Sequence, residues 1–91
     1  MDLSGKVCVI TGASSGIGKS LSLKFSSKGA SVALASRRNS KLTSIIDNIK
    51  QLGGTATGIK TDITKSIECK NLIDETLNQY GRIDLLLLGA G

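Results

Sequence analysis

Short runs in which nearly every residue is apolar or small alternate along this chain with longer stretches in which apolar residues recur every three or four positions. Val7 to Thr11 is the first such run. It has no polar alternation and reads as a strand buried on both faces, as in a parallel sheet. Ile17, Leu21 and Phe25 then fall on one helical face, with Lys19, Lys24 and Lys28 elsewhere, and Lys28-Gly29 supplies the closing cation and glycine. Ser31 to Ser36 is a second short strand. A second helix is predicted over Asn39 to Leu52, on Leu42, Ile45, Ile46, Ile49 and Leu52, and Gly53-Gly54 stops it. Thr55 to Thr61 is a weaker strand, and Gly58 inside it predicts an edge position or a close approach. After Asp62-Ile63, Thr64 is the expected N-cap of a third helix that runs to Tyr80, with Cys69, Leu72, Ile73, Thr76, Leu77 and Tyr80 along one side. Gly81 closes it. Ile83 to Leu88 contains four consecutive leucines and reads as a fourth strand buried on both faces.

Alternation of strand and helix in this order implies an α/β protein with a parallel sheet and right-handed crossovers. The simplest strand order is 3-2-1-4, the first half of a doubly wound, Rossmann-like sheet, with the loop after the first strand at the switch point where ligands bind. Residues 1–91 make one domain at most, and no repeat or linker divides them. A chain of this size buries roughly 60 to 68% of the surface it exposes when unfolded, so a core is attainable without a wide margin.

Composition narrows the function classes. The net charge of +5 favours an anionic partner, but the twelve Lys and Arg are spread along the chain and one Tyr and one Phe give few platforms for stacking bases. Nucleic acid is therefore not the expected partner. Cys8 and Cys69 make neither a disulfide framework nor a metal site, there is no histidine, and both read as inert small core residues. The short lead into the first strand has no room for a signal peptide, and no apolar run approaches the ~20 residues that span a bilayer. These features point to a cytoplasmic location.

The stretch between the first strand and the first helix carries the chemistry. Thr11-Gly12-Ala13-Ser14-Ser15-Gly16-Ile17-Gly18 is made almost entirely of small residues. Without a Cβ, glycine lets the backbone turn sharply and lets a ligand lie against its N–H groups. Those N–H groups fall at a helix N-terminus, which carries about half a positive charge and unpaired donors and so suits a pyrophosphate. Gly12, Ser14, Ser15, Gly16, Ile17 and Gly18 are the candidate cradle. The glycine spacing, G-x-x-x-G-x-G, is wider at the start than the dinucleotide fingerprint G-x-G-x-x-G. The string TGASSGIG, with its approach Leu3-Ser4-Gly5-Lys6-Val7, resembles the cofactor loop of the short-chain dehydrogenase/reductase family, an α/β oxidoreductase family.

At the end of the second strand, dinucleotide-binding folds place an acidic residue on the ribose 2'-hydroxyl of NAD. Here the position reads Ser36-Arg37-Arg38, with Arg37 lying 25 residues beyond Gly12. A carboxylate would repel the 2'-phosphate of NADP, whereas an arginine holds it through paired, charge-assisted bonds, so NADP(H) is expected over NAD(H). Asp62 reads as a polar strand end or a turn acceptor. The resemblance implies in addition that Asp62 accepts from the adenine amino group, with Ile63 packed on the ring. It also matches Leu88-Gly89-Ala90-Gly91 to the family's N-N-A-G at the end of the fourth strand; Gly89 and Ala90 join the candidate cofactor residues, and both asparagines are missing.

The family's reduction of a carbonyl depends on a serine, a tyrosine and a lysine, the last two as Y-x-x-x-K, beyond the fourth strand. Nothing here matches them, since Asp84 stands four residues after Tyr80. The resemblance thus implies the NADP(H)-binding half of an oxidoreductase acting on a carbonyl or alcohol, truncated after the fourth strand. The alternatives are a nucleotide-binding module without chemistry of its own, or an interaction protein that docks or self-associates through an exposed leucine edge.

Overall fold

A computed structural model describes residues 2–88, with Asn39 described in its backbone only. Strands β1 (Val7–Thr11), β2 (Ser31–Ser36), β3 (Thr55–Lys60) and β4 (Leu85–Leu87) alternate with helices α1 (Gly16–Ser27), α2 (Asn39–Gln51) and α3 (Ser66–Tyr80). The strands form one parallel sheet in the order β3-β2-β1-β4. This is the expected Rossmann-like half.

The sheet is covered unequally. On one face Cys8, Ile10, Val32 and Leu34 pack under Leu42, Ile45 and Ile49 of α2 and Leu21 and Phe25 of α1. On the other, Val9, Ala33, Ala35 and Ile59 pack under Leu72 and Tyr80 of a single helix, α3, with Ile83 beside them. Every residue of β1 is buried, as the unbroken apolar run predicts for a central parallel strand. Gly58 fulfils both readings of its position. β3 is an edge strand, and a Cβ at Gly58 would stand 2.7 Å from Ile46 Cδ1, so α2 lies close against the backbone there.

Five expectations about the elements need correction. Leu52 is the C-cap of α2 and 75% exposed, not part of its buried face. α1 does not use Ile17 as a core residue: Ile17 is 76% exposed, and the helix instead seats Gly18 and Ser22 on the sheet, flanked by Leu21 and Phe25. Thr64 is not the N-cap of α3. Asp62 Oδ1 accepts from both the N–H and the hydroxyl of Thr64, at 3.0 and 2.6 Å, which holds Thr64 in a turn and moves the helix start to Ser66 with Lys65 as cap. Leu77 is 43% exposed, because α3 meets the sheet through Leu72 and Thr76. The fourth strand is shorter than expected, and Leu85, Leu86 and Leu88 are exposed rather than buried on both faces. No strand among the described residues lies beyond β4.

β4 is held at both ends. Asp84 Oδ2 accepts from Val7 N–H at 2.8 Å while Asp84 N–H donates to Val7 O at 2.8 Å, and Thr11 Oγ1 donates to Leu87 O at 3.3 Å. Arg82 forks onto the same carboxylate, at 2.9 and 2.6 Å. The Arg82 guanidinium and the Val7 N–H hold the Asp84 carboxyl below its ordinary value. No helix among the described residues is long and apolar enough to cross a membrane.

Candidate functional site

The C-terminal ends of β1, β2 and β3 open onto one edge of the sheet, and the residues singled out in the sequence converge there from three loops. Gly12 leaves β1 at φ 63°, a left-handed conformation that a side chain would strain. The chain then rises into α1. Ser15 is the N-cap: its hydroxyl donates to Gly12 O at 2.8 Å and accepts the Gly18 N–H at 3.1 Å, so one side chain braces both ends of the loop. Gly18 is pressed against the loop, and a Cβ there would lie 2.4 Å from Gly12 O and 2.7 Å from Ala13 Cα. Gly16 is the opposite case, exposed, with nothing within 4 Å of where its Cβ would stand. The N–H groups of Gly16 and Ile17 come too early in the helix for an intrahelical acceptor. They form a small field of donors on an unobstructed backbone.

The end of β2 is tied to this loop. Ala13 N–H donates to Ala35 O at 3.2 Å, and the hydroxyls of Ser14 and Ser36 lie 2.9 Å apart. Ser36 Oγ also takes the Arg38 N–H at 3.2 Å. Ser14, Ser36, Arg37, Arg38 and Lys41 line a cavity of about 150 Å³, and no carboxylate is among them. A second cavity, about 220 Å³, opens beside it between Gly12, Ser36, Arg37, Asp62 and Ile63, with Thr61 and Thr64 completing its wall. The two share Ser36 and Arg37.

β3 supplies the far wall. Thr61 N–H donates to Ser36 O at 2.8 Å, extending the ladder past the strand end. Hydrogen bonds from the hydroxyl and N–H of Thr64 hold the Asp62 carboxyl below its ordinary value, with Lys65 and Arg37 adding a smaller pull. Asp62 is thus an ionised turn acceptor here, while its own N–H is taken by Glu68 Oε1 at 2.9 Å. Ile63, 45% exposed, presents an apolar surface at the mouth. Cys69 is half-buried rather than a core residue, and its thiol donates to Ile63 O at 3.4 Å. Cys8 lies in the core, where burial, and to a smaller extent Asp84, pushes its thiol pKa up.

Of the candidate residues, the structure brings Gly12, Ser14, Ser36, Arg37, Arg38, Asp62 and Ile63 around the two adjoining cavities, with Ser15, Gly16, Ile17 and Gly18 forming the loop and helix start. Gly89 and Ala90 lie outside the described residues. Thr61 and Lys41 were missed. Thr61 reads in sequence only as the last residue of the weaker strand. Lys41 reads in sequence as one more solvated lysine, and only its place three residues after Arg38 hinted otherwise. No group of His, Cys, Asp or Glu among the described residues could hold a metal ion.

Known proteins resemble the chain over almost all of its length. A family model for short chain dehydrogenases matches residues 6–91. The uncharacterized oxidoreductase Lmo0432 of Listeria monocytogenes is 45% identical, over 100% of this chain and 37% of its own. The 11-beta-hydroxysteroid dehydrogenase A of Sesamum indicum is 41% identical, over 99% of this chain and 26% of its own. Among solved structures, a hydroxysteroid dehydrogenase from Escherichia coli superposes with a TM-score of 0.96 at 38% identity, covering 99% of this chain and 38% of that one. A metagenomic short-chain oxidoreductase solved in complex with NADP gives 0.93 at 38% identity, covering 98% of this chain and 40% of that one. The chain spans about a quarter to two-fifths of these relatives.

Proposed function

The chain belongs to the short-chain dehydrogenase family, a family of oxidoreductases, and on that premise we propose that residues 1–91 are its NADP(H)-binding part, serving an oxidoreductase that acts on a carbonyl or alcohol. The cofactor's diphosphate lies over the N–H groups of Gly16 and Ile17, where the open backbone at Gly16 and the positive end of α1 fit an anion. Adenine enters the cavity between Asp62 and Ile63, and the ribose 2'-phosphate enters the one lined by Ser14, Ser36, Arg37 and Arg38. Bound there, the dinucleotide supplies or accepts a hydride. No Y-x-x-x-K pair occurs in these 91 residues, so no side chain among them is assigned the accompanying proton transfer.

The observation that carries the preference for NADP is the lining at the end of β2, in which every charged residue is basic. The NADP complex of a 38% identical neighbour supports it. Titration with NADPH and NADH, followed by cofactor fluorescence, tests it. Arg37→Ala removes a charge-assisted bond worth about 1.5–3 kcal/mol, so NADPH binding falls roughly 10- to 100-fold while NADH is almost untouched. Equal losses for the two cofactors would refute the assignment.

A second reading, docking or self-association through the leucine edge, draws on the exposed Leu85, Leu86 and Leu88 and on the Tyr80 hydroxyl, which is buried without a hydrogen-bond partner among the described residues. Sedimentation of the chain across a range of concentrations separates it from the first reading: a concentration-independent monomer that binds NADPH leaves the cofactor role alone standing.

A further inference from the structure

The cations near the end of β2 do not hold equivalent places. Arg37 borders both cavities and stands near enough to Asp62 to help keep that carboxyl ionised. Arg38 borders only the smaller one. Lys41 borders the smaller cavity and also an adjoining hollow of about 210 Å³ that it shares with Ser14, Lys19, Ser44 and Ile45. No carboxylate lines either space, and among the described residues Lys41 is in no ion pair.

Its position is costly for the helix. Lys41 sits in the first turn of α2, where the macrodipole disfavours a cation, and that turn has no acidic residue and no side-chain cap bond to offset it. A local rule broken without a local compensation points to a functional constraint. The Ser14–Ser36 pair adds a donor beside it. Only one proton lies between the two oxygens, so whichever hydroxyl donates within the pair, the other keeps a proton for an outside acceptor.

We propose that Lys41 is a specificity-determining residue of the dinucleotide site: its ammonium, with Arg38 and the serine pair, holds the 2'-phosphate from the α2 side, while Arg37 stands on the wall shared with the adenine cavity. The inference rests on the NADP reading above and extends it to a residue outside the β2 end. Lysine suits the role because its flexible stem lets a point charge follow the phosphate, whereas the arginines meet it in a fixed fork.

Calorimetric titration of the full chain with adenosine 2',5'-bisphosphate and with 5'-AMP tests it without needing activity. Lys41→Ala should weaken the bisphosphate about 10-fold, leave 5'-AMP unchanged and flatten the salt dependence of bisphosphate binding, and Lys41→Arg should restore most of the affinity. Lys41→Gln, which keeps the stem, gives the same loss if Lys41→Ala folds poorly by circular dichroism. If the wild type prefers the bisphosphate and Arg37→Ala abolishes that preference while Lys41→Ala and Lys41→Gln retain it, Lys41 has no part and the NADP reading stands. If the wild type binds the two probes equally, the NADP reading fails and this inference with it.

Discussion

β3 and β4 flank the same two central strands, one on each side, and they finish the sheet in different ways. β3 pairs with β2 along six residues, buries Ala56 and Ile59, and turns Thr55 and Lys60 outward. α2 lies against it at Gly58, where a Cβ would meet the Ile46 Cδ1 methyl. β4 pairs with β1 along three residues and carries leucines on both faces: Leu86 aligns with Val9 on the α3 side, while Leu85 and Leu87 align with Cys8 and Ile10 on the other. An edge meant to face water mixes polar and apolar residues. An edge with leucine on both sides has the composition of an interior strand. The difference teaches that β3 is a finished boundary and β4 is a surface chemically suited to being covered.

Four experiments break or sharpen that contrast. The largest effect is expected from Ile59→Ala, which empties a buried site on β3 and should cost about 2–5 kcal/mol in chemical denaturation, against less than about 1 kcal/mol for Leu86→Ala. Equal losses would mean that β4 is as deeply covered in solution as β3. Next is Gly58→Val, which must push aside only the Ile46 Cδ1 methyl and should destabilise by about 1 kcal/mol at most; removing that methyl with Ile46→Val should abolish the loss. Melting curves of the single and double variants decide it.

A smaller and pH-dependent effect belongs to Asp84, which ties β4 to β1. Its folded pKa lies below the ordinary 3.8, so the folded state binds fewer protons, and the stability it contributes is fully present above that value and lost as pH falls through the folded pKa. Asp84→Asn should therefore lower the melting temperature at neutral pH and leave a shallower decline below pH 3.8; parallel acid slopes would show that the carboxylate does not anchor the strand. Least of all, Leu86→Lys should leave the denaturation midpoint nearly unchanged and shift sedimentation toward monomer. No shift would mean that this leucine takes no part in association.

The fold was legible in the sequence wherever burial follows hydrophobicity. β1, β2 and α2 are in that class, and the helical positions Leu42, Ile45 and Ile49 are all buried. It was less legible where contact depends on small size. α1 packs through Gly18 and Ser22, which a hydrophobic pattern does not register, and Ile17 attracted the assignment instead. The start of α3 moved because Asp62 bound Thr64 in a turn, a competition between side chain and helix that spacing alone does not settle. The leucines of β4 announced burial, but burial is a property of neighbours, and none lies beyond that strand among the described residues. At the candidate site, the glycines and arginines were legible because they stand where a strand gives way to the next helix. Lys41 was not, since its neighbour Ser14 lies far away in sequence and is brought near only by the crossover of α1.

Ser15 deserves a last consequence. By gripping Gly12 O and the Gly18 N–H at once, its hydroxyl sets the shape of the loop before any guest arrives. An arriving anion then finds a finished seat and need not order a floppy segment, an expense of about 1–2 kcal/mol for each residue fixed. A side chain engaged at both ends of the loop would in this way govern how tightly the guest is held.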